Sequence, residues 1–72
     1  MKDFIRENRK MNAKEYREVK REIADLIKTG EISKAAHTED FYKDYFKTNH
    51  QFYEINHMVL VALEEKWKGE TK

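Results

Sequence analysis

The chain has 72 residues, 40% of them charged, and a formal net charge of +1. A chain this short forms one domain with a small core, and the lack of cysteine excludes disulfides and thiolate metal sites. No apolar run is long enough to span a membrane, and the charged start MKDFIRENRK does not resemble a signal peptide, so we expect a cytoplasmic protein without membrane contacts. With no proline and two glycines, the composition favours an all-α fold, a small bundle of three or four helices.

Residues 1–11 are predicted to form either a short helix capped by Asp3 or a basic arm, with Phe4 and Ile5 as the apolar anchor of the segment. All four arginines of the chain lie within its first 21 residues. If the segment docks, Arg6, Arg9 and Lys10 extend the positive end of the next helix. If it stays an arm, the same side chains can reach into a minor groove.

A long amphipathic helix is predicted near residues 13 to 29. Asn12 and Glu15 form a capping-box pattern at its start, and Gly30 suits the left-handed position after its end. Its apolar positions form one stripe that must face the core: Tyr16, Val19, Ile23, Leu26 and Ile27. A basic strip on another side contains Lys14, Arg17, Arg21 and Lys28. This strip either follows a phosphate backbone or pairs with acidic residues one turn away on the same helix.

The middle of the chain is predicted to contain two helical segments with a turn between them. The first spans Ile32 to Ala36, and the second lies near residues 39 to 47 with Thr38 as its N-cap. Aromatic residues repeat at three- and four-residue spacing in the second segment, and we expect most of their surface to be buried: Phe41, Tyr42, Tyr45 and Phe46.

The last helix is predicted near residues 54 to 67, with an alternative start at Thr48, where Gln51 completes a second capping-box pattern. The unbroken apolar run from Met58 to Leu63 predicts a helix that is nearly all buried, because a lone strand would have no partner. It is either the central helix of a monomer or half of a symmetric dimer interface. Residues 68–72 are expected to be a frayed tail.

These helices are expected to share one core. The residues at the centres of their apolar arcs should meet there: Ile23, Ile27, Phe41, Tyr45, Val59 and Leu63. Truncating Phe41 or Leu63 to alanine should then cost about 2–5 kcal/mol of stability.

The order of these elements from Tyr16 to Trp67 resembles the helix-turn-helix DNA-binding domains of small bacterial regulators. The residues that carry the resemblance are Ala36 in the first motif helix, Asp40 where the family has a turn glycine, and Phe41 and Phe46 at two apolar positions. The resemblance implies a helix-turn-helix-like bundle that binds DNA and regulates transcription, with the helix near residues 39 to 47 in the groove.

On this interpretation, exposed basic and polar side chains contact DNA: Arg6, Arg9, Arg17, Ser33, Lys34, Lys43, Lys47, Asn49 and His50. Acidic side chains on the same segment, Glu39, Asp40 and Asp44, oppose a phosphate backbone. The mixed charges fit an alternative equally well. In it, the chain is a small helical protein-protein interaction or adaptor module that binds a protein, or forms a homodimer, through its last helix and aromatic face.

The sequence shows no pattern for catalysis or for binding a metal or cofactor. His50 and His57 are seven residues apart and could share a helical face, but no third ligand lies nearby. A glycine-rich phosphate loop, a nucleophile elbow and an inward-facing carboxylate pair are all missing from the sequence. We therefore expect a protein that is not an enzyme and takes no small-molecule substrate, cofactor or metal.

Overall fold

The computed structural model describes residues 2–70, and within them the chain is helical apart from short connections. Its elements are α1 (Asp3–Arg6), α2 (Ala13–Lys28), α3 (Ile32–Tyr42), a 3₁₀ turn (Lys43–Tyr45) and α4 (Asn49–Glu70). This confirms the predicted all-α fold, a small bundle of helices. In the described part of the chain, no helix combines the length and the apolar composition that crossing a bilayer requires.

The segment before α2 packs on the rest of the molecule through the buried side chains of Phe4 and Met11, and hydrogen bonds add to this contact. Asp3 is the first residue of α1, so it does not act as the cap. Phe4 is 1% exposed, and its ring lies 5.8 Å from that of Tyr42 and 5.5 Å from that of Tyr45. The N–H of Met11 donates to the carbonyl of Tyr45 at 2.8 Å, which ties this segment to the 3₁₀ turn.

Helix α2 has the ends that the sequence predicts. The N–H of Glu15 donates to the Asn12 side chain and the N–H of Asn12 donates to the Glu15 carboxylate, each at 2.9 Å, so the capping box is complete. After Lys28 the chain turns through Gly30, which has a φ of 84°. The N–H of Glu31 then donates to the carbonyl of Leu26 at 2.8 Å, which satisfies a carbonyl at the helix end.

Helix α3 is continuous, and this corrects the two-segment prediction. The expected turn between Ala36 and Glu39 does not form, and the predicted helix over residues 39–47 stops at Tyr42. Thr38 does not cap a helix, because its hydroxyl donates to the carbonyl of Lys34 at 2.8 Å inside the same helix. Burial explains the continuity, since one unbroken helical face buries Ile32, Ala35, Glu39 and Tyr42.

Helix α4 begins earlier than residue 54, at the alternative start that the sequence offered. Thr48 accepts from the N–H of Gln51 at 3.2 Å, while the Gln51 side chain accepts from the N–H of Lys47 at 3.0 Å. The helix continues through Gly69 to the last described residue, Glu70. Residues 71 and 72, part of the predicted frayed tail, lie outside the described residues.

The core is built mainly from residues of α2, α3 and α4, closed at one end by the N-terminal segment. Its buried residues are Phe4, Met11, Val19, Ile23, Ala35, Tyr42, Phe46, Ile55 and Val59, with Ile27, Tyr45 and Leu63 partly buried against them. The predicted cluster is therefore confirmed at Ile23 and Val59. It is wrong at Phe41, which is 59% exposed, because α3 runs at a phase that turns Tyr42 inward.

Helices α2 and α4 run in the same direction, with α3 antiparallel to both. Lys20 pairs with Glu54, and further along Ile27 and Val61 line one groove. The 22 residues of α4 make it about 33 Å long, against about 24 Å for the 16 residues of α2. Residues 64–69 of α4 are all exposed, so this end of the helix projects past the rest of the bundle.

Candidate interaction surfaces

The residues predicted to contact DNA are divided between the two ends of α3. Arg9 lines one groove with Asp44 and Tyr45, so it lies at the same end of the molecule as Lys43. Arg6 and Arg9 flank the start of α2, and Arg17 is exposed further along that helix. Ser33 and Lys34 are exposed in the first turn of α3. The remaining residues, Lys43, Lys47, Asn49 and His50, are exposed at the opposite end of α3, roughly 14 Å away along the helix.

Both N-terminal arginines form ion pairs within the chain. Arg6 pairs with Asp3 one turn earlier. The guanidinium of Arg9 donates to both carboxylate oxygens of Glu15, at 2.7 and 3.0 Å, and also pairs with Glu7. Hydrogen bonding to Arg9 lowers the pKa of Glu15, while the carboxylates raise the pKa of Arg9. Arg9 therefore holds the Glu15 carboxylate of the capping box, and this interaction was not predicted from the sequence.

A set of lysines lies at the end of the molecule where the 3₁₀ turn meets α4. Lys10 and Lys43 line a shallow groove of about 300 Å³ together with Asp44, Phe46, Thr48, Asn49 and Phe52, and Lys47 lies in the connection beside it. The amine of Lys10 donates to the carbonyl of Asp44, and Lys43 pairs with Asp40 at 3.3 Å. We call Lys10, Lys43 and Lys47 the basic end. Its positive charge is reduced by the two aspartates.

His50 is part of a polar cluster that joins α2 to α4. Its Nε2 lies 3.5 Å from the Glu54 carboxylate, which also accepts from Lys20. The hydrogen bond from Lys20 holds the pKa of Glu54 below its usual range. Burial and the charge of Glu54 raise the pKa of Tyr16 to about 12. The carboxylate beside His50 opposes its predicted contact with phosphate.

The outer face of α4 exposes three large side chains at a spacing of seven residues. Tyr53 is 64% exposed, Leu60 54% and Trp67 60%. Seven residues make almost two helical turns, so these side chains lie along one line. Asn56 and Leu63, which are partly buried, fall between them at the alternating three- and four-residue spacing of a coiled-coil seam. We call these five residues the α4 seam.

A buried carboxylate holds one residue of the α4 seam in place. Glu39 of α3 is 9% exposed, and the side-chain amide of Asn56 donates to its two oxygens at 3.3 and 3.4 Å. Burial raises the pKa of Glu39, and the hydrogen bond from Asn56 offsets part of that effect. The amide nitrogen of Asn56 is thus directed toward α3.

Two smaller apolar surfaces lie elsewhere on the bundle. A shallow groove of about 380 Å³ lies between α2 and α4, on the other side of α4 from the seam, and is lined by Ala24, Ile27, His57, Met58 and Val61. Phe41 lies in a second groove, of about 290 Å³, between α2 and α3. Both are open, and neither places its apolar residues in a repeating line.

The predicted burial of α4 is wrong for much of its surface, and the sequence held a signal for the exposed line. Ile55, Val59 and Ala62 are buried, whereas Leu60 and Val61 within the same apolar run are exposed. The spacing of Tyr53, Leu60 and Trp67 was readable in the sequence, but the continuous run from Met58 to Leu63 hid it. Among the described residues, no group of three histidine, aspartate or glutamate side chains is placed to hold a metal ion.

Comparison of the chain with models of known protein families, with curated proteins and with solved structures finds no match.

Proposed function

We propose that this protein is a helical interaction module that associates with a second copy of itself through the α4 seam. The observation that carries the proposal is the exposed line of Tyr53, Leu60 and Trp67 on one face of α4. A domain of 72 residues has few large apolar side chains to spare from its core. Leaving three of them exposed at coiled-coil spacing is typical of a surface that is covered by another helix.

The size of the seam indicates a dimer of moderate affinity. An aromatic side chain offers about 150–250 Å² of surface, so the exposed parts of Tyr53 and Trp67 contribute on the order of 200–300 Å² per copy. The leucines and flanking residues raise this to roughly 500 Å², which is below the roughly 800 Å² per partner of a standard stable interface. We therefore expect a dissociation constant in the micromolar range.

Sedimentation equilibrium tests this proposal directly. Wild-type protein should shift from monomer to dimer between about 1 and 500 μM, the range set by a micromolar dissociation constant. Leu60→Glu places a charge at the centre of the seam and should leave the protein monomeric over the whole range. Phe41→Glu is the matched control, because it puts the same charge on an equally exposed apolar residue of another face. A wild-type protein that is monomeric at 500 μM contradicts the proposal.

A second candidate function is DNA binding by a helix-turn-helix-type regulatory protein, and the basic end favours it. Lys10, Lys43 and Lys47 gather at one end of the molecule beside Asn49, and flexible lysines suit phosphate contacts. The candidate no longer uses a separate helix over residues 39–47, because α3 ends at Tyr42. The lysines of the basic end would contact the phosphate backbone, and such contacts carry no sequence information.

Titration of a fluorescent random-sequence duplex at low salt tests the second candidate. Binding should weaken steeply as salt is added, and Lys43→Ala with Lys47→Ala should weaken it more than Arg17→Ala, which removes a charge from the second turn of α2. No binding at tens of micromolar protein would exclude DNA as the partner. The outcome is independent of the Leu60→Glu experiment, since Leu60 is not part of the basic end.

A further inference from the structure

The shallow groove between α2 and α4 and the basic strip of α2 lie side by side. We infer that together they bind an acidic amphipathic helix of another protein, with its apolar side in the groove and its carboxylates along the strip. This partner is distinct from the second copy proposed for the α4 seam, because the groove lies on the other side of α4. The apolar surface of the groove comes from Ala24, Ile27, Met58 and Val61.

The basic strip borders the groove because of its spacing along α2. Ala24 lines the groove and follows Arg21 by three residues and precedes Lys28 by four, so the three side chains lie along one ridge of the helix. Lys20, one turn before Ala24, pairs with Glu54 of α4. This pair shows that the same side of α2 is turned toward α4, and it neutralises a carboxylate that would otherwise lie beside the groove.

The positive charges of the strip are not neutralised inside the chain. All four side chains of the strip are exposed. Pairing with acidic residues of the same helix, which the sequence left open, is not observed, because within residues 2–70 the strip forms no ion pair. The acidic residues of α2 lie on its other edge, where Glu22 pairs with Lys2 at 3.8 Å and Glu18 lines a groove beside α1. The strip can therefore bind the carboxylates of a partner.

The apolar groove distinguishes an acidic helix from other anionic partners. A phosphate backbone offers charge but no apolar side chains, so it would leave Ile27, Met58 and Val61 uncovered. A membrane would favour apolar side chains that protrude, whereas these line a concave surface of about 380 Å³. An amphipathic helix supplies an apolar side for the groove and carboxylates for the strip. Each arginine of the strip can donate two parallel hydrogen bonds to one carboxylate.

The two ends of the groove differ in charge. At the end of the groove that follows Val61 on α4, Glu64 and Glu65 are exposed, and they oppose acidic side chains of a partner. Arg17 and Arg21 lie toward the other end, away from these glutamates. We therefore expect the carboxylates of the partner to lie beside the two arginines.

Two synthetic peptides serve as probes of the groove. Both have about 15 residues, with leucines at three- and four-residue spacing on one side of a helix. One peptide carries glutamates beside the leucines, and the other carries lysines at the same positions. Isotope-labelled protein is titrated with each peptide up to about 1 mM, a range that detects weak binding, and the amide chemical shifts are followed by NMR. Circular dichroism verifies that each protein variant keeps its helical fold.

The glutamate peptide should shift the signals of residues that line the groove and bind at least about tenfold more tightly than the lysine peptide. Arg17→Glu with Arg21→Glu should weaken its binding by at least about tenfold. Lys34→Glu with Lys47→Glu is the matched control, because it reverses two exposed charges on other faces. This control should weaken binding by less than about threefold, since salt screens distant charges.

A second pair of variants separates the groove from the α4 seam. Val61→Glu places a charge in the groove and should abolish peptide binding, whereas Leu60→Glu places the same charge on the seam side and should bind the peptide as the wild type does. Phe41→Glu, on another face, should also bind it normally. Binding that is lost in Leu60→Glu and kept in Val61→Glu would place the peptide on the seam and overturn the inference.

Three further outcomes also overturn the inference. The first is a glutamate peptide that shifts no groove residue at about 1 mM. The second is equal binding of the glutamate and lysine peptides. The third is tighter binding to a random-sequence DNA duplex, or to phosphatidylserine vesicles, than to the glutamate peptide, with that binding lost in the Arg17→Glu, Arg21→Glu protein. It would assign the strip to nucleic acid or to a membrane surface instead.

Discussion

Phe4 and Phe41 are the same residue type in opposite environments. Phe4 is 1% exposed and contacts the rings of Tyr42 and Tyr45, whereas Phe41 is 59% exposed and contacts Tyr42 from outside the core. The N-terminal segment thus contributes a core residue from outside the three long helices. At the scale of single residues, stability depends on which ring the tertiary structure encloses.

Truncating these two rings should have very different effects. Phe4→Ala is expected to cost about 3–5 kcal/mol, because it removes a buried ring and leaves a cavity. Phe41→Ala is expected to change stability by less than about 1 kcal/mol, since most of the ring is in water. Urea unfolding followed by circular dichroism measures both. If the two variants lost the same free energy of unfolding, the N-terminal segment would not be docked as described.

Glu39 is a second residue whose environment has a measurable consequence. Its pKa is raised by burial, so the ionised carboxylate opposes folding at pH values above the folded-state pKa. This opposing contribution disappears as the pH falls through the raised pKa toward the ordinary carboxyl range. Glu39→Gln keeps the shape of the side chain and removes the charge.

The Glu39→Gln variant should therefore melt a few degrees above the wild type at pH 7, and the difference should shrink as the pH is lowered. Thermal unfolding at a series of pH values measures the difference. Asp40→Asn is the control, because that neighbouring carboxylate is exposed and its removal should change the melting temperature little at any pH. A variant that is less stable than the wild type at pH 7 would show that Asn56 compensates fully for the buried charge.

At the scale of the helices, local signals decide the start and end of α2. The two hydrogen bonds of the capping box satisfy backbone and side-chain groups at its start, and Arg9 holds the Glu15 carboxylate from the other side. Gly30 takes the left-handed conformation at its end. These interactions form between residues close in sequence, which is why sequence reasoning found the helix.

The N-cap of α2 should contribute about as much to the free energy of unfolding as other helix caps do. Asn12→Ala is expected to cost about 1 kcal/mol, since it leaves the N–H of Glu15 without its side-chain acceptor. Asn12→Ser retains an acceptor oxygen and should stay within a few tenths of a kcal/mol of the wild type. Chemical denaturation of the two variants gives the comparison. If Asn12→Ser and Asn12→Ala lost the same amount of stability, the hydrogen bond from the N–H of Glu15 to the Asn12 side chain would not stabilise the helix.

The two glycines should respond differently to alanine. Gly30 has a φ of 84°, and a Cβ there would meet no atom within 4 Å, so Gly30→Ala carries only the backbone penalty of about 1 kcal/mol. Gly69 is helical and also surrounded by open space, so Gly69→Ala should be neutral or slightly stabilising. Thermal unfolding of both variants measures the contrast. A destabilising Gly69→Ala would place the end of α4 before residue 69.

At the scale of the whole molecule, folding and self-association are linked. If the dimer forms only between folded chains, mass action makes the melting temperature rise with protein concentration. We expect a rise of several degrees between about 5 and 500 μM for the wild type and for Phe41→Glu, and none for Leu60→Glu. Differential scanning calorimetry provides the measurement. A melting temperature independent of concentration in all three proteins would mean that association does not stabilise the fold.

The sequence by itself determined the helical class, the start of α2 and the turn at Gly30, because each depends on composition or on hydrogen bonds between near neighbours. The prediction that Thr38 caps a new helix also relied on near neighbours, but it was wrong. A continuous α3 is favoured because it buries Ile32, Ala35, Glu39 and Tyr42 on one face. The apolar run of α4 likewise could not show which side is covered. Only the tertiary structure decided which side of α4 is buried, because that side is the one that packs against α2 and α3. It placed Ile55 and Val59 in the core and left Leu60 in water, and it separated the residues expected to bind DNA while lining up those of the α4 seam.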